Sequence, residues 1–305
     1  MADRREVVVT LEGQRHDPQT PLLYADDLAA VRGDGIFETL LVRDGRPCLL
    51  ESHLARLAHS ADLLDLPAPD LEAWRSAVAI AVGYWLADGG DLVDRGEEGV
   101  LRLVCSRGRE SGRDSGTGAT GTGYATIGPV AARVADVRRN GVAALTLDRG
   151  LSAHGIDEMP WLLAGAKTLS YAVNMAALRH AECRGAGDVI FVSADGYILE
   201  GPRSTVVIVT RSPDGNTCLL TPPPWYPILR GTTQQALFEV ARNNGYDCDY
   251  QALRPADLVA AQGVWLVSSI TLAARVHTLD GRALAPATSA VDVGGLIEAA
   301  ILSDR

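Results

Sequence analysis

The chain has 305 residues, of which 47% are apolar and 22% are charged, and its basic and acidic residues give a formal net charge of 28 − 38 = −10. This composition is typical of a globular protein with two domains of ordinary size. The negative charge argues against nucleic acid or an acidic membrane as a partner. No apolar run reaches the ~20 residues that a membrane-spanning helix needs.

The first residues are charged and lack the apolar stretch of a signal peptide, so we expect a cytoplasmic location. The 5 cysteines are widely spaced and contain no CxxC pair, which indicates neither a disulfide framework nor a zinc site. The 6 histidines include no closely spaced ligand pair on one predicted helix with an acid, so we expect no metal.

The N-terminal half alternates between strand and helix patterns. Between Ser106 and Gly123 the chain is rich in Gly, Ser, Thr and Arg, which predicts a long mobile loop. The GxGxxG match at 116–121 is not interpreted as a dinucleotide site, because no strand closely precedes it and no helix follows. The predicted elements are strands at 6–12, 36–42, 100–104 and 124–130 and helices from Glu51 to before Pro67 and at 70–87.

Residues 132–140 are predicted to connect two domains, an N-terminal one at 1–131 and a C-terminal one at 141–305 that contains Lys167. The C-terminal half is predicted to be richer in strands. Its predicted elements are a strand at 142–147, a helix at 170–183, a hairpin at 188–200, strands at 204–210 and 217–221, a helix at 231–244, a strand that ends at Ser269 and a helix at 293–302.

Lys167 is the only lysine among the 28 basic residues; the other 27 are arginine. Arginine stays protonated, whereas a lysine amine can lose its proton and form an imine. The apolar run Trp161-Leu-Leu-Ala precedes Lys167, and poor solvation lowers the pKa of an amine. A solvated lysine without a special role is the alternative, but these flanks favour an imine-forming residue.

A lysine that binds pyridoxal phosphate works with a partner for the pyridine nitrogen and with a phosphate site. Glu200 ends a predicted strand 33 residues after Lys167 (200 − 167) and is the candidate for the nitrogen, with an exposed surface glutamate as the alternative. Arginine binds phosphate in a bidentate manner, and a helix start offers free N–H groups. The candidate phosphate ligands are Arg56, Thr232, Thr233, Ser268 and Ser269.

Six stretches, in this order, resemble the class IV, fold-type IV pyridoxal-phosphate enzymes, which include branched-chain aminotransferases, D-amino-acid transaminases and 4-amino-4-deoxychorismate lyases. The stretches are Gly33-Asp-Gly-Ile-Phe-Glu-Thr, His53-Leu-Ala-Arg56-Leu, Leu163-Ala-Gly-Ala-Lys167-Thr-Leu-Ser, Asp195-Gly-Tyr-Ile-Leu-Glu200-Gly, Ile228-Leu-Arg-Gly231-Thr-Thr233 and Val267-Ser-Ser269. The resemblance implies an α+β fold with a small N-terminal α+β domain and a larger, β-rich C-terminal α/β domain. It also implies a homodimer with the cofactor between these domains.

The resemblance implies that Lys167 is the Schiff-base lysine and that Glu200 is the pyridinium partner. It also implies a group around the phosphate, namely Arg56, Thr232, Thr233 and Ser269. Tyr171 follows Lys167 by four residues (171 − 167) and is a candidate cofactor contact. Where the family has Glu-Gly-Ser-Ser-Ser-Asn, this chain has Glu200-Gly-Pro202-Arg203-Ser204-Thr205. This departure leaves open whether Arg203 faces the substrate or the solvent.

The loop at 106–123 favours the lyases among these enzymes. Its Arg107-Gly, followed by glycine and Arg113, resembles the lyase pattern. No histidine lies between His59 and His154, so the arginine-x-histidine carboxylate trap of D-amino-acid transaminases is absent. We therefore expect a 4-amino-4-deoxychorismate lyase that gives 4-aminobenzoate and pyruvate for folate synthesis.

We expect the small-molecule amine substrate to contact Arg107, Arg113 and Phe37. A class IV transaminase acting on branched-chain or D-amino acids is the alternative function, and both activities in one chain stay open. A non-catalytic binding scaffold is a third possibility, against which the retained Lys167 argues.

Overall fold

The computed structural model describes residues 6–89, 96–111, 121–155, 158–212, 214–286 and 291–303. The chain divides into two compact units. Unit 1 comprises Met1–Ala131 and Ala166–Tyr171, and unit 2 comprises Ala132–Gly165 and Ala172–Arg305. Helices accompany a β-sheet in each unit, so the fold is α+β, as the motifs predict.

Unit 1 contains a six-stranded antiparallel sheet with the order β2-β1-β6-β5-β3-β4. Its strands are β1 (Val7–Thr10), β2 (Arg15–His16), β3 (Gly35–Arg43), β4 (Arg46–Pro47), β5 (Gly99–Ser106) and β6 (Gly123–Pro129). Successive side chains of a strand point to opposite faces. Leu101 and Leu103 are accordingly buried, while Arg102 between them is exposed.

Three helices belong to unit 1, namely α1 (Leu28–Arg32), α2 (Leu50–Leu63) and α3 (Leu71–Gly89). Helix α2 packs on β3, and α3 packs on β1 and β6. Leu54 and Leu57 of α2 and Trp74 and Trp85 of α3 are buried, as expected for helices with apolar residues at three- and four-residue spacing.

The segment Ala166–Tyr171 belongs to unit 1, although the sequence placed Lys167 in the C-terminal domain. The reason is backbone pairing with β3. Thr168 forms an antiparallel bridge with Ile36, and the N–H of Phe37 donates to the carbonyl of Lys167 at 3.0 Å. These contacts join residues distant in sequence, and no local pattern indicates them.

Unit 2 contains an eight-stranded mixed sheet with the order β11-β10-β9-β12-β13-β7-β8, in which β14 also pairs with β13. The strands are β7 (Val142–Asp148), β8 (Asp188–Val192), β9 (Thr205–Arg211), β10 (Thr217–Thr221), β11 (Asp247–Tyr250), β12 (Gly263–Ser268), β13 (Leu272–Leu279) and β14 (Arg282–Ala283). Strand β9 lies inside the sheet, and its residues Val206, Val207, Ile208 and Val209 are all buried. A strand buried on both faces has such a continuous apolar run.

The helices of unit 2 are α4 (Ala132–Asn140), α5 (Ala172–Glu182), α6 (Thr232–Asn243), α7 (Pro255–Ala260) and α8 (Val293–Ser303), with a 3₁₀ turn at Pro160–Leu162. Helix α4 is the segment that we expected to be a connection; it packs on β13 instead. The sequence does not show the apolar periodicity of a helix here, because Val134 is the one buried residue of α4 in the described part of the chain. No helix among the described residues is both long and apolar enough to cross a membrane.

The predicted hairpin at 188–200 is correct in its turn but not in its second strand. The N–H of Phe191 donates to the carbonyl of Glu200 at 2.8 Å, and the N–H of Leu199 donates to Phe191 at 2.9 Å. Ile198, however, turns its N–H to the carbonyl of Leu253 at 2.8 Å. The segment after the turn therefore bonds both to β8 and to Leu253. Within it, Ile198 forms the one β-bridge to β8.

Candidate active site

Lys167 is half-buried on the edge of unit 1, where its backbone is held on both sides. Its N–H donates to Oγ of Ser60 at 3.1 Å, and its carbonyl accepts from the N–H of Phe37 at 3.0 Å. The next residues continue the pairing, with the N–H of Leu169 donating to Gly35 at 2.8 Å. The lysine backbone therefore forms part of the unit 1 sheet edge.

Two aromatic rings surround the lysine amine. Nζ of Lys167 lies 4.4 Å from the ring centroid of Phe37 and 5.8 Å from that of Tyr171. The two rings meet edge to face, with centroids 5.4 Å apart and an interplanar angle of 87°. The structure thus brings Phe37 and Tyr171, two predicted site residues, to the reactive end of Lys167.

Three ionisable side chains form a buried cluster on the neighbouring elements. Glu38 of β3 accepts from Nε and Nη2 of Arg56, both at 2.7 Å, and its Oε2 lies 2.7 Å from Nδ1 of His53. Glu38 and His53 are fully buried, and the side chain of Arg56 is 10% exposed. This bidentate contact fixes the plane of the Arg56 guanidinium, which is the predicted phosphate ligand.

The charges in this cluster are set by burial and by Arg56. Burial raises the pKa of Glu38, but the charge and the hydrogen bonds of Arg56 outweigh burial, and the pKa lies far below its usual range. For His53, burial lowers the pKa more than the Glu38 carboxylate raises it. The charges of Arg56 and Lys167 lower the pKa of His53 further. His53 is therefore neutral, and because Glu38 is ionised, Nδ1 of His53 donates the proton of their hydrogen bond.

Glu38 and His53 are functional candidates that our site prediction omitted. Both stand in the quoted motifs, but the motifs give no reason to single them out. One signal was available: a glutamate in an apolar strand is almost never fully buried without a partner. Glu38 lies among Ile36, Leu40 and Leu41, so a cationic partner was to be expected.

The predicted substrate residue Arg107 is held by other groups of unit 1. Its Nε donates to Asp34 at 2.7 Å, Nη1 donates to the carbonyl of Asp65 at 3.0 Å, and Nη2 donates to the carbonyl of Leu64 at 2.6 Å. These bonds join three segments of the unit. The other predicted substrate arginine, Arg113, lies outside the described residues, as do residues 112–120 of the predicted loop.

In unit 2, Glu200 lies at the end of the hairpin that follows β8. The N–H of Leu229 donates to Oε2 of Glu200 at 3.0 Å. The carboxylate is thus oriented by the segment that leads into helix α6. A half-buried carboxylate in this position suits a protonated pyridine nitrogen, since an opposite charge stabilises the protonated ring.

The start of helix α6 brings together the predicted phosphate ligands of unit 2. Gly231 is the N-cap and provides no side-chain cap, so the first N–H groups of α6 are not bonded by a cap side chain. Thr232 and Thr233 are buried in the first turn, and Oγ1 of Thr233 lies 3.4 Å from Oγ of Ser269. Such a helix start with adjacent hydroxyls is a suitable anion site.

The close approach of Gly231 to β9 explains why a glycine stands there. A Cβ at this position would lie 2.3 Å from Oγ1 of Thr205. Thr205, where the family has asparagine, therefore packs directly against the helix start. Ser268, a predicted phosphate ligand, has a contact within its own turn: its Oγ accepts from the N–H of Thr271 at 3.3 Å. Ser268 thus shapes the turn after β12.

Arg203 is exposed and lies near the half-buried Asp188. Its Nη2 is 3.8 Å from Oδ2 of Asp188. Burial raises the pKa of Asp188, although the charge of Arg203 lowers it. This ion pair gives Arg203 a structural role at the start of β8.

Each unit has residues that suit a part of pyridoxal phosphate. The start of α6, where the N-cap Gly231 makes no side-chain cap bond and hydroxyls lie nearby, suits a phosphate. Lys167 between two rings suits a covalent amine, and Glu200 suits a pyridine nitrogen. Among the described residues, no group of three or more His, Cys, Asp or Glu side chains is arranged to hold a metal ion.

These features define a class IV pyridoxal-phosphate enzyme of fold type IV. The chain belongs to the amino-transferase class IV family, whose model matches residues 35–279. The family predicted from the six motifs is thereby confirmed.

Near-full-length relatives agree with this class. The chain is 66% identical over 302 residues to a bifunctional aminodeoxychorismate lyase / D-amino acid transaminase of Mycobacterium tuberculosis, covering 98% of this chain and 100% of the relative. It is also similar to two solved structures of a hypothetical aminotransferase from the same species, one in a PLP-bound form and one in an alpha-ketoglutarate and PMP bound form. Each shares 64% identity and a TM-score of 0.90, covering 98% of this chain and 100% of that chain. The predicted cofactor, pyridoxal phosphate, is thereby confirmed.

Proposed function

We propose that this enzyme converts 4-amino-4-deoxychorismate into 4-aminobenzoate and pyruvate. The observation that carries the proposal is the 66% identity, over nearly the whole of both chains, to a bifunctional aminodeoxychorismate lyase / D-amino acid transaminase. The lyase-like Arg107-Gly motif adds support from the sequence. The substrate, 4-amino-4-deoxychorismate, is the small-molecule amine that the sequence predicts.

Lys167 is the residue that moves the proton. When bound, pyridoxal phosphate supplies an electron sink next to the substrate amine. The amine of Lys167 removes the proton from the ring carbon that bears the substrate amine. The bond between the ring and the ether oxygen then breaks, so that the ring becomes aromatic and enolpyruvate leaves. Enolpyruvate takes up a proton at its methylene carbon to give pyruvate.

The remaining residues bind and orient. Glu200 keeps the pyridine nitrogen protonated, and Arg56, held by Glu38, binds the phosphate. The hydroxyls at the start of α6 complete the phosphate contacts, namely those of Thr232, Thr233 and Ser269. Phe37 and Tyr171 lie beside the amine of Lys167, and Phe37 is the proposed contact of the substrate.

Transamination is the second candidate function. It is supported by the structure of a 64% identical chain in an alpha-ketoglutarate and PMP bound form. The same lysine serves both reactions, because each begins by removing a proton next to an amine. A D-amino acid is the preferred class of donor, since the 66% identical relative is also a D-amino acid transaminase.

Product analysis separates these activities. The holoenzyme is incubated with 4-amino-4-deoxychorismate without a keto acid, and separately with D-alanine or a branched-chain amino acid plus 2-oxoglutarate. Formation of 4-aminobenzoate in the first reaction supports the lyase, and Lys167→Ala should abolish it. A wild-type enzyme that forms glutamate but no 4-aminobenzoate would instead be a transaminase.

Arg107 and Arg113 are the proposed contacts of the substrate carboxylate, as the sequence motif implies. Because Arg107 already bonds three groups, we expect Arg107→Ala to lower the free energy of unfolding by about 1–3 kcal/mol. Arg113→Ala should raise KM. If the double variant kept the wild-type KM, neither arginine would bind substrate.

A further inference from the structure

Helix α2 presents three polar residues on one face. His53, Arg56 and Ser60 are spaced at i, i+3 and i+7, which places them on the same side of the helix. His53 and Arg56 bind Glu38. Ser60 is fully buried and instead contacts Lys167. The face therefore serves two neighbouring targets, the glutamate and the lysine segment.

The contact of Ser60 acts on the backbone of Lys167. The N–H of Lys167 donates to Oγ of Ser60 at 3.1 Å, while its carbonyl accepts from Phe37 at 3.0 Å. Strand β3 is occupied by β5 along the opposite edge, so the lysine segment adds to its other edge at Ile36 and Phe37. The backbone of β3 thus bonds the carbonyl of Lys167, and the side chain of Ser60 bonds its N–H.

We propose that Ser60 is a positioning residue for Lys167, an inference that rests on the proposed role of that lysine. By fixing the N–H, the Ser60 hydroxyl orients Cα of Lys167 and the start of its side chain. The amine then lies 4.4 Å from the Phe37 ring centroid. Proton transfer depends on such placement, since a misplacement of about 1 Å costs up to about 100-fold in rate.

The variants to compare are Ser60→Ala, Ser60→Cys and the control Ser52→Ala. Ser52 is exposed on the same helix, so its replacement leaves the lysine contact intact. Ser60→Cys keeps the side-chain size but provides only a weak acceptor. This second variant keeps the proposal testable where Ser60→Ala does not fold.

Three measurements on the holoenzymes test the role of Ser60. In Ser60→Ala we expect kcat to fall about 10- to 100-fold with KM changed by less than about threefold. Hydrogen exchange at the amide of Lys167 should become faster, because its acceptor is lost. The pH midpoint of the absorbance of the bound cofactor should shift. Ser60→Cys should lie between Ser60→Ala and wild type, and Ser52→Ala should match wild type.

The outcomes separate this proposal from the assignment of Lys167. A Ser60→Ala enzyme with wild-type amide exchange, kcat and absorbance profile would overturn the positioning role. Equal changes in Ser52→Ala would also overturn it, because they would reflect the helix rather than the contact. Borohydride reduction followed by peptide mass analysis tests the lysine separately. Cofactor attached to another residue would refute the role of Lys167 itself.

Discussion

Glu38 holds two side chains of helix α2 at once and is fully buried. Glu38→Gln removes the charge that Arg56 faces, while the guanidinium stays almost entirely buried. Breaking a buried ion pair costs about 3–5 kcal/mol. We expect a loss of this size in the free energy of unfolding, measured with urea, together with weaker cofactor binding.

Glu51→Gln is the matched control for this substitution, since Glu51 is an exposed residue of α2 that pairs with Arg75. We expect little change in the free energy of unfolding of Glu51→Gln. If Glu38→Gln were as stable as Glu51→Gln, the Glu38 cluster would contribute nothing to the fold.

His53 predicts a pH dependence of stability. Its pKa is lowered in the folded protein, first by burial, whereas the unfolded chain has the ordinary pKa of about 6.5. Below that pH the unfolded state binds more protons, so stability falls as the pH decreases from about 7 towards 5. His53→Asn keeps a donor near Glu38 but does not titrate. We expect its free energy of unfolding to vary less with pH over this range.

The control for His53 is His59→Asn, on an exposed residue of the same helix. That variant should keep the wild-type slope between pH 7 and pH 5. A His53→Asn protein with the wild-type slope would show that His53 does not cause the pH dependence. The depressed pKa of Glu38 acts in a different window, with stability lost only below about pH 4.5.

At the scale of elements, local patterns predicted helices α2, α3 and α6 closely, because their buried residues recur at helical spacing. They did not predict α4, whose residues are mostly polar. Strand β13 was missed as well, since its identity depends on pairing with β12 and β7. Apolar periodicity predicts which face of an element is buried. It does not predict an element whose structure depends on pairing with distant strands.

The start of helix α6 gives a prediction at this scale. In Gly231→Ala the added Cβ meets Oγ1 of Thr205 at 2.3 Å, so either Thr205 or the helix start must shift. Overpacking of this kind costs about 1–3 kcal/mol. We expect a lower free energy of unfolding and weaker binding of pyridoxal phosphate, measured by titration of the apoenzyme.

A second substitution shows whether the clash is the cause. Thr205→Ala removes the atom that the new Cβ would meet, so the double variant should recover part of the lost affinity. Gly83→Ala is the control, because no atom lies within 4 Å of a Cβ added there. Equal loss of affinity in the single and double variants would refute the steric explanation.

At the scale of the whole molecule, the motifs identified the family and the cofactor, because short stretches around Lys167 and Glu200 are specific. They did not predict that the lysine segment belongs to unit 1, since that assignment depends on pairing with β3. The buried cluster around Glu38 was missed for a related reason. His53 and Arg56 lie 15 and 18 residues after Glu38 in the sequence. They meet Glu38 only when α2 packs on β3.

The homodimer implied by the motifs stays a prediction, and exposed apolar residues of unit 2 provide a test of it. The side chain of Trp161 is 71% exposed, and Val173 and Met175 at the start of α5 are 54% and 44% exposed. Large apolar side chains left in solvent often mark a protein interface. Trp161→Asp should leave the monomer fold intact and shift the sedimentation coefficient from that of a dimer towards that of a monomer. The control Gln251→Asp, at an exposed polar residue of unit 2, should leave the sedimentation coefficient unchanged. A wild-type protein that sediments as a monomer would refute the homodimer.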